Sequence, residues 1–386
     1  MSQIVFSGHE GALYVCDADG GSQRTLTSGG VLCVWPSCSP DGRAIAFSVV
    51  PSGGNGHGVL GVRVIPTDGS ALRQIYENEV GTDAIASRTP HYALWSPDSR
   101  KLAFIAQTRS GGLTLFLHDT ASDGPPRRLV DGGPLYASWS QDSRFLLIHS
   151  ERNHYLADLN QEAGLARVPG EATRYSAPAW SPRTNRVAMF RDSGRGKQTL
   201  LVGDMDHGKV EAIAEVDGLA SIGWSPDGSH IGMARAVGSR SGYYEGLWVV
   251  NADTGGETQV ADERVLAFFW SPDGGRIAYI TPSDAAEGSL RWAVVRADGA
   301  DVHYLADFRP TQEQMTAFMF FDQYGQSHPR WSSDGASLLF AGALGYRVAG
   351  GPLPEGRFSG IFVADSDGES TPRRVGSGTF AAWLPG

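Results

Sequence analysis

The chain has 386 residues, 50 of them Gly and 21 Pro, with 41% hydrophobic residues, a composition that excludes intrinsic disorder and describes a turn-rich protein with ample core material. Thirty-two basic against 42 acidic side chains give a formal charge of -10, which excludes broad electrostatic adhesion to nucleic acid or to an anionic membrane.

The opening MSQIVFSGHEG has no basic region followed by an apolar stretch, and no run of eighteen apolar residues follows anywhere, so neither a leader nor membrane insertion is expected and a cytoplasmic location is. Its first predicted strand lies near Ile4 to Ser7, and YVCDADGGSQRTL then reads as strand, Asp/Gly turn, strand. Cys16, Cys33 and Cys38 have neither zinc spacing nor the even number of a disulfide framework and are expected to be buried thiols.

From Cys38 onward one phrase recurs: CSPDGRAIAFS, then WSPDSRKLAFIA at Trp95, WSQDSRFLLIHS at Trp139 and WSPRTNRVAMF at Trp180. WSPDGSHIGMA at Trp224, WSPDGGRIAYIT at Trp270, WSSDGASLLFAG at Trp331 and a truncated WLPG at Trp383 complete eight copies. They are separated by 57, 44, 41, 44, 46, 61 and 52 residues, near or above the length of a four-stranded propeller blade. In each copy the aromatic residue ends one strand, Pro-Asp-Gly turns the chain, and an apolar run returns as the next strand. VIPTDGSALRQI, VVNADTGGETQV, VVRADGADVHYL and VADSDGESTPRRV supply the second hairpin of a unit, giving four strands each.

Trp383 begins a copy that lacks its second strand, and IVFSG at Ile4 supplies it. The expected fold is therefore an all-β, eight-bladed β-propeller of four-stranded antiparallel blades, one domain over 1–386. Its first blade combines about 1–27 with 379–386, a closure that removes free sheet edges.

The repeated WSPDG, the following IAF and the D-x-DG turn resemble the TolB-like propeller repeat over nearly the whole chain. Departures are Arg183-Thr184-Asn185 in place of Asp-Gly, and Cys38 in place of Trp. The resemblance implies that the Pro-Asp-Gly turns lie at the bottom of the ring and the long connections at the top. Segments 49–60, 77–91, 307–328 and 342–360 are then top loops flanking the short SGHEG of the first blade, and they wall a depression. Arginines collect in the top loops and aspartates in the bottom turns, so a polarised particle is expected.

One copy carries a preface that occurs once, FFDQYGQSHPRWSSDG from Phe320. Its aromatics Phe318, Phe320, Phe321 and Tyr324 suit either a small satellite core or ligand contact, while Asp322, Gln323, Gln326 and His328 offer polar groups. The candidate ligand-binding set is Trp35, Tyr92, Asp322, Gln323, Tyr324, Gln326, His328, Arg347 and Arg357, the two arginines favouring an anion. Gln323-x-x-Gln326-x-His328-Pro329 is also similar to the Gln-x-x-His-x-His-Pro segment of oligogalacturonate lyases, where the amide and imidazoles hold a divalent metal. Here Gln326 stands in place of one imidazole, which weakens a metal site. No Gly-x-Ser-x-Gly elbow, Walker loop or His-Glu-x-x-His occurs in a supporting context. The functional expectation is a non-catalytic binding or scaffold protein for a protein segment or small anionic ligand, with no catalytic residue, metal or cofactor assigned. The alternative is a metal-dependent polysaccharide lyase.

Overall fold

The computed structural model describes residues 2–27, 31–51, 61–77, 92–107, 112–161, 164–173, 175–236, 242–344 and 359–385. Almost all of its regular structure is antiparallel strand, and the molecule is a β-propeller. Five four-stranded sheets follow one another along the chain within 31–77, 93–132, 135–168, 179–217 and 219–261. A sixth combines Gln3–Gly8, Leu13–Asp17 and Arg24–Thr25 with the last strand, Gly378–Leu384. There Ile4 pairs with Trp383 and Val5 with Ala382, so the two chain ends meet in one sheet.

The remaining seven strands, from Ala267–Trp270 to Arg373–Gly376, form one continuous sheet. The sequence places two blades in this region. The strand His303–Pro310 bridges them by pairing Phe308, Arg309 and Pro310 with Leu344, Ala343 and Gly342. The inner strand expected at Trp331 is reduced to a single bridge with Leu338.

The repeated phrase has a repeated bonding pattern. In six copies the serine hydroxyl donates to the Asp two residues on, as in Ser225 Oγ to Asp227 at 2.6 Å, and the Asp accepts the N–H two residues further. The same serine oxygen receives the N–H of the returning strand, as from Arg276 to Ser271 at 2.9 Å. This closes the turn around one side chain. The residue after Asp has positive φ in each of these turns: Gly42, Gly228, Gly274 and Gly335, and also Ser99 and Ser143. The two serines use the strained position, since their hydroxyls accept the N–H groups of Asp41 and Asp98 in the preceding turns.

The tryptophans stitch neighbouring units together. Each indole N–H of Trp95, Trp139, Trp224, Trp270, Trp331 and Trp383 donates to a carbonyl of the preceding copy, from Ser37, Leu94, Ala179, Gly223, Phe269 and Arg330 in turn. Every acceptor is the residue just before that copy's own aromatic position. Trp180 departs from the pattern: its backbone N–H donates to Ser138 Oγ, and its buried indole N–H has no acceptor among the described residues. Cys38 has no indole to contribute, and burial pushes its thiol above the usual range. No helix among the described residues is long and apolar enough to cross a membrane.

Candidate functional site in the axial channel

The preface folds into the ring. Helix α1 (Gln312–Met319) is capped by Thr311, whose hydroxyl accepts the N–H of Gln314, and a short α2 (Phe321–Tyr324) follows. Helix α1 packs on the strands Gly378–Leu384, His303–Pro310 and Ser337–Leu344, while α2 reaches Leu135–Trp139, Leu219–Trp224 and Ala267–Trp270. Tyr324 meets Trp35 at 4.8 Å and Tyr92 at 5.1 Å between ring centres, and Asp322 bonds the N–H of Ala177. The helical segment thus touches inner strands on every side and fills the axial channel.

Its aromatic residues form the apolar part of this plug. Phe318 is fully buried against Trp292, Phe308 and Phe269, and Phe321 packs on Phe268. Trp35 reaches Tyr324 from a β-bulge between Val34 and Ser37, where it holds φ at 58°. The indole also meets Phe380 at 4.6 Å.

The polar residues complete backbone groups that inner strands turn toward the axis. Gln323 Nε2 donates to the carbonyl of Ala137 (3.1 Å) and its Oε1 accepts the N–H of the same residue (3.0 Å), as a neighbouring peptide would. Tyr92 Oη donates to the carbonyl of Gln323. Asp322 Oδ2 accepts from Ala177 N and from Ser221 Oγ, both at 3.1 Å, and Ser221 Oγ lies 2.7 Å from Tyr244 Oη. Desolvation pushes the Asp322 carboxyl up, and the two donors work against that shift. Gln326 Nε2 donates to the carbonyls of Asp322 and Pro178. His328 Nδ1 lies 2.7 Å from Ser327 Oγ. Burial holds the His328 imidazole down at about 3, with the nearby Arg330 cation acting in the same direction.

The expected binding residues are therefore brought together, but mostly away from solvent. Trp35, Tyr92, Gln323, Tyr324 and His328 are buried, Asp322 is half-buried, and Gln326 is exposed. Of the segment 307–328, where a wall above the ring was expected, 307–310 continues a sheet strand and 311–328 forms the channel filling, because its aromatics find partners there and its amides find edge-strand backbone. Arg347 and Arg357, with loops 52–60, 78–91 and 345–358, lie outside the described residues.

A divalent metal does not fit this arrangement. Both amide atoms of Gln323 are engaged with Ala137, and the amide nitrogen of Gln326 faces two carbonyls. Among the described residues no group of three or more His, Cys, Asp or Glu side chains could hold an ion.

Two residues of the site were missed by sequence reasoning. Arg330 is 1% exposed, donating to the carbonyls of His328 and Ala381 and to Gln314 Oε1. Gln314 is wholly buried on α1. A signal for Arg330 was present: the residues preceding the other seven aromatic positions are Ser37, Leu94, Ser138, Ala179, Gly223, Phe269 and Ala382, and none is charged.

The fold and site define a β-propeller whose axial channel is closed by its own chain. No protein-family model matches the chain. A 126-residue stretch, 32% of this chain, is 27% identical to the uncharacterized peptidase YuxL of Bacillus subtilis (strain 168), of which it spans 17%. Among solved structures, a eukaryotic initiation factor is similar over 100% of this chain and 98% of its own, with TM-score 0.58 and 11% identity. Oligogalacturonate lyase from Vibrio parahaemolyticus is similar over 87% and 85%, with TM-score 0.52 and 14% identity. TolB from Acinetobacter baumannii is similar over 89% and 83%, with TM-score 0.43 and 15% identity. Identities of this size show the fold alone, a β-propeller.

Proposed function

We propose that this chain is a non-catalytic binding propeller that captures a protein segment at the mouth of its plugged channel. The observation that carries this reading is the placement of exposed apolar residues. Nine large hydrophobic residues are exposed among those described. Five of them, Leu72, Leu165, Val210, Val302 and Tyr304, lie in or beside outermost strands, where isolated exposure is ordinary. The other four, Tyr175, Leu219, Met319 and Phe320, lie within three residues of Asp322 or of the Ala177 and Ser221 groups that it bonds. We take these four as one apolar patch at the plug, joined through the Asp322 bonds to Ala177 and Ser221, and such a patch suits a partner's side chains. Arg347 and Arg357 belong to the proposal as the groups that favour an acidic flank on that segment.

The test is selection of peptides from a displayed random library, followed by calorimetry with the synthetic winners. Apolar peptides are expected to bind, and to bind at least about tenfold more weakly to the Met319→Ser/Phe320→Ser double variant. Val210→Ser should leave them unchanged. Equal binding to the double variant would refute the patch. Release of an unsaturated uronide from polygalacturonate, abolished by His328→Ala, would establish a lyase instead.

A further inference from the structure

Beneath the proposed docking face, the channel encloses a cation that docking does not use. Arg330 Nε donates to the His328 carbonyl (3.0 Å), and Nη1 donates to the Ala381 carbonyl (3.2 Å) and to Gln314 Oε1 (3.3 Å). Its guanidinium carbon lies 5.1 Å from the centre of the Phe380 ring. Every one of these partners is neutral, and among the described residues no carboxylate pairs with it. Nη2 has no acceptor there. Burial pushes the group down to about 9, which still leaves it charged at neutral pH. Neutralisation therefore gives no relief, and an unpaired buried charge is costly.

A second orphan lies beside the first. Gln314 is wholly buried, and the orientation of its amide is fixed because Oε1 receives two donors, Arg330 Nη1 and the N–H of Ala341 (3.1 Å). Nε2 then has no acceptor among the described residues. The two unpartnered nitrogens belong to the two groups that one hydrogen bond joins, since Nη2 shares a carbon with Nη1 and Nε2 shares one with Oε1. Both are donors, and one sits on a cation.

We propose that Arg330 and Gln314 bind a small monovalent anion of halide size inside the channel. A water molecule would accept hydrogen bonds from both nitrogens and leave the charge unbalanced, whereas an anion does both. The site also joins three distant pieces of chain: Gln314 on α1, Arg330 on the approach to Trp331, and Ala381 on the closing strand. Its occupancy thereby tightens the plug and the ring closure together.

Urea unfolding with chloride exchanged for gluconate at constant ionic strength tests this. Above the dissociation constant, each tenfold rise in chloride should raise the wild-type folding constant about tenfold, on the condition that the unfolded chain binds none. Gln314→Glu supplies an internal carboxylate and should remove this dependence while remaining folded in gluconate; Arg330→Met should remove it as well. In crystals grown with sodium bromide, an anomalous peak is expected between Arg330 Nη2 and Gln314 Nε2. Wild-type midpoints that match in the two salts, a Gln314→Glu variant that keeps the wild-type chloride slope, or a water at the bromide position would each overturn the proposal.

Discussion

At the scale of single residues, the preface is rich in amides because a primary amide has the donor and acceptor of a peptide group. Gln323 offers Ala137 both in one side chain, and no carboxylate or hydroxyl does that as completely. His328 solves another problem, filling space between Phe380, Trp35 and Tyr324 as a neutral ring. Its value of about 3, against an ordinary 6.5, gives it a defined pH effect. Between those values the unfolded chain binds a proton that the folded chain lacks. The stability tied to this neutral ring is complete above about pH 6.5 and is lost as pH falls toward 3, by up to about tenfold in the folding constant per pH unit. His154, also pushed down to about 3, adds a term of the same sign, and Asp322, pushed up, opposes both. Urea midpoints at pH 7 and pH 5 should therefore fall less in His328→Asn than in the wild type, by about one proton's worth of slope. Equal slopes would show that His328 is charged in the folded protein.

At the scale of elements, α1 and α2 are short and gain their stability from tertiary contact, not from helix propensity. The inner strand of each sheet has a neighbour on one side only, so its other side presents backbone groups to the channel. The plug satisfies such groups with Gln323 on Ala137, Asp322 on Ala177, Gln326 on Pro178 and Thr311 on Thr379. Gln323→Leu keeps comparable bulk but leaves the Ala137 N–H and C=O buried and unpaired, an expected loss of about 2–4 kcal/mol in urea unfolding. Gln326→Leu, at an exposed position, should change stability by no more than about 0.5 kcal/mol. Similar values for the two variants would mean that the Gln323 amide does not complete the strand.

At the scale of the molecule, the last strand joins ring and plug. Gly378–Leu384 pairs with Gln3–Gly8, Trp383 bonds the Arg330 carbonyl, Ala381 receives Arg330, and Thr379 receives Thr311. Deleting 379–386 removes all four links and uncovers the strand Gln3–Gly8 as a sheet edge. The truncated chain is expected to lose cooperative unfolding and to become sensitive to limited proteolysis at room temperature. A truncated protein with the wild-type urea midpoint would show that the ring holds without this joint. The eight-blade count remains our proposal, supported by indole bonds that lead from one repeat to the one before it.

The turns and their order were legible in the sequence because they are local: serine, aspartate and a left-handed glycine or serine within five residues close the same hydrogen-bonded loop in six copies. The meeting of the chain ends was legible for a related reason, since a unit lacking a strand at one end matches a strand lacking a unit at the other. The direction taken by the preface was not legible. Phe318, Phe321 and Tyr324 would suit an external satellite core as well as a channel, and the aromatic partners and free backbone that inner strands present draw them inside. Arg330 shows the limit most clearly. Its position before Trp331 marked it as unusual, but its place without a carboxylate partner among the described residues arises from α1, the approach to Trp331 and the last strand, which meet only in the folded molecule.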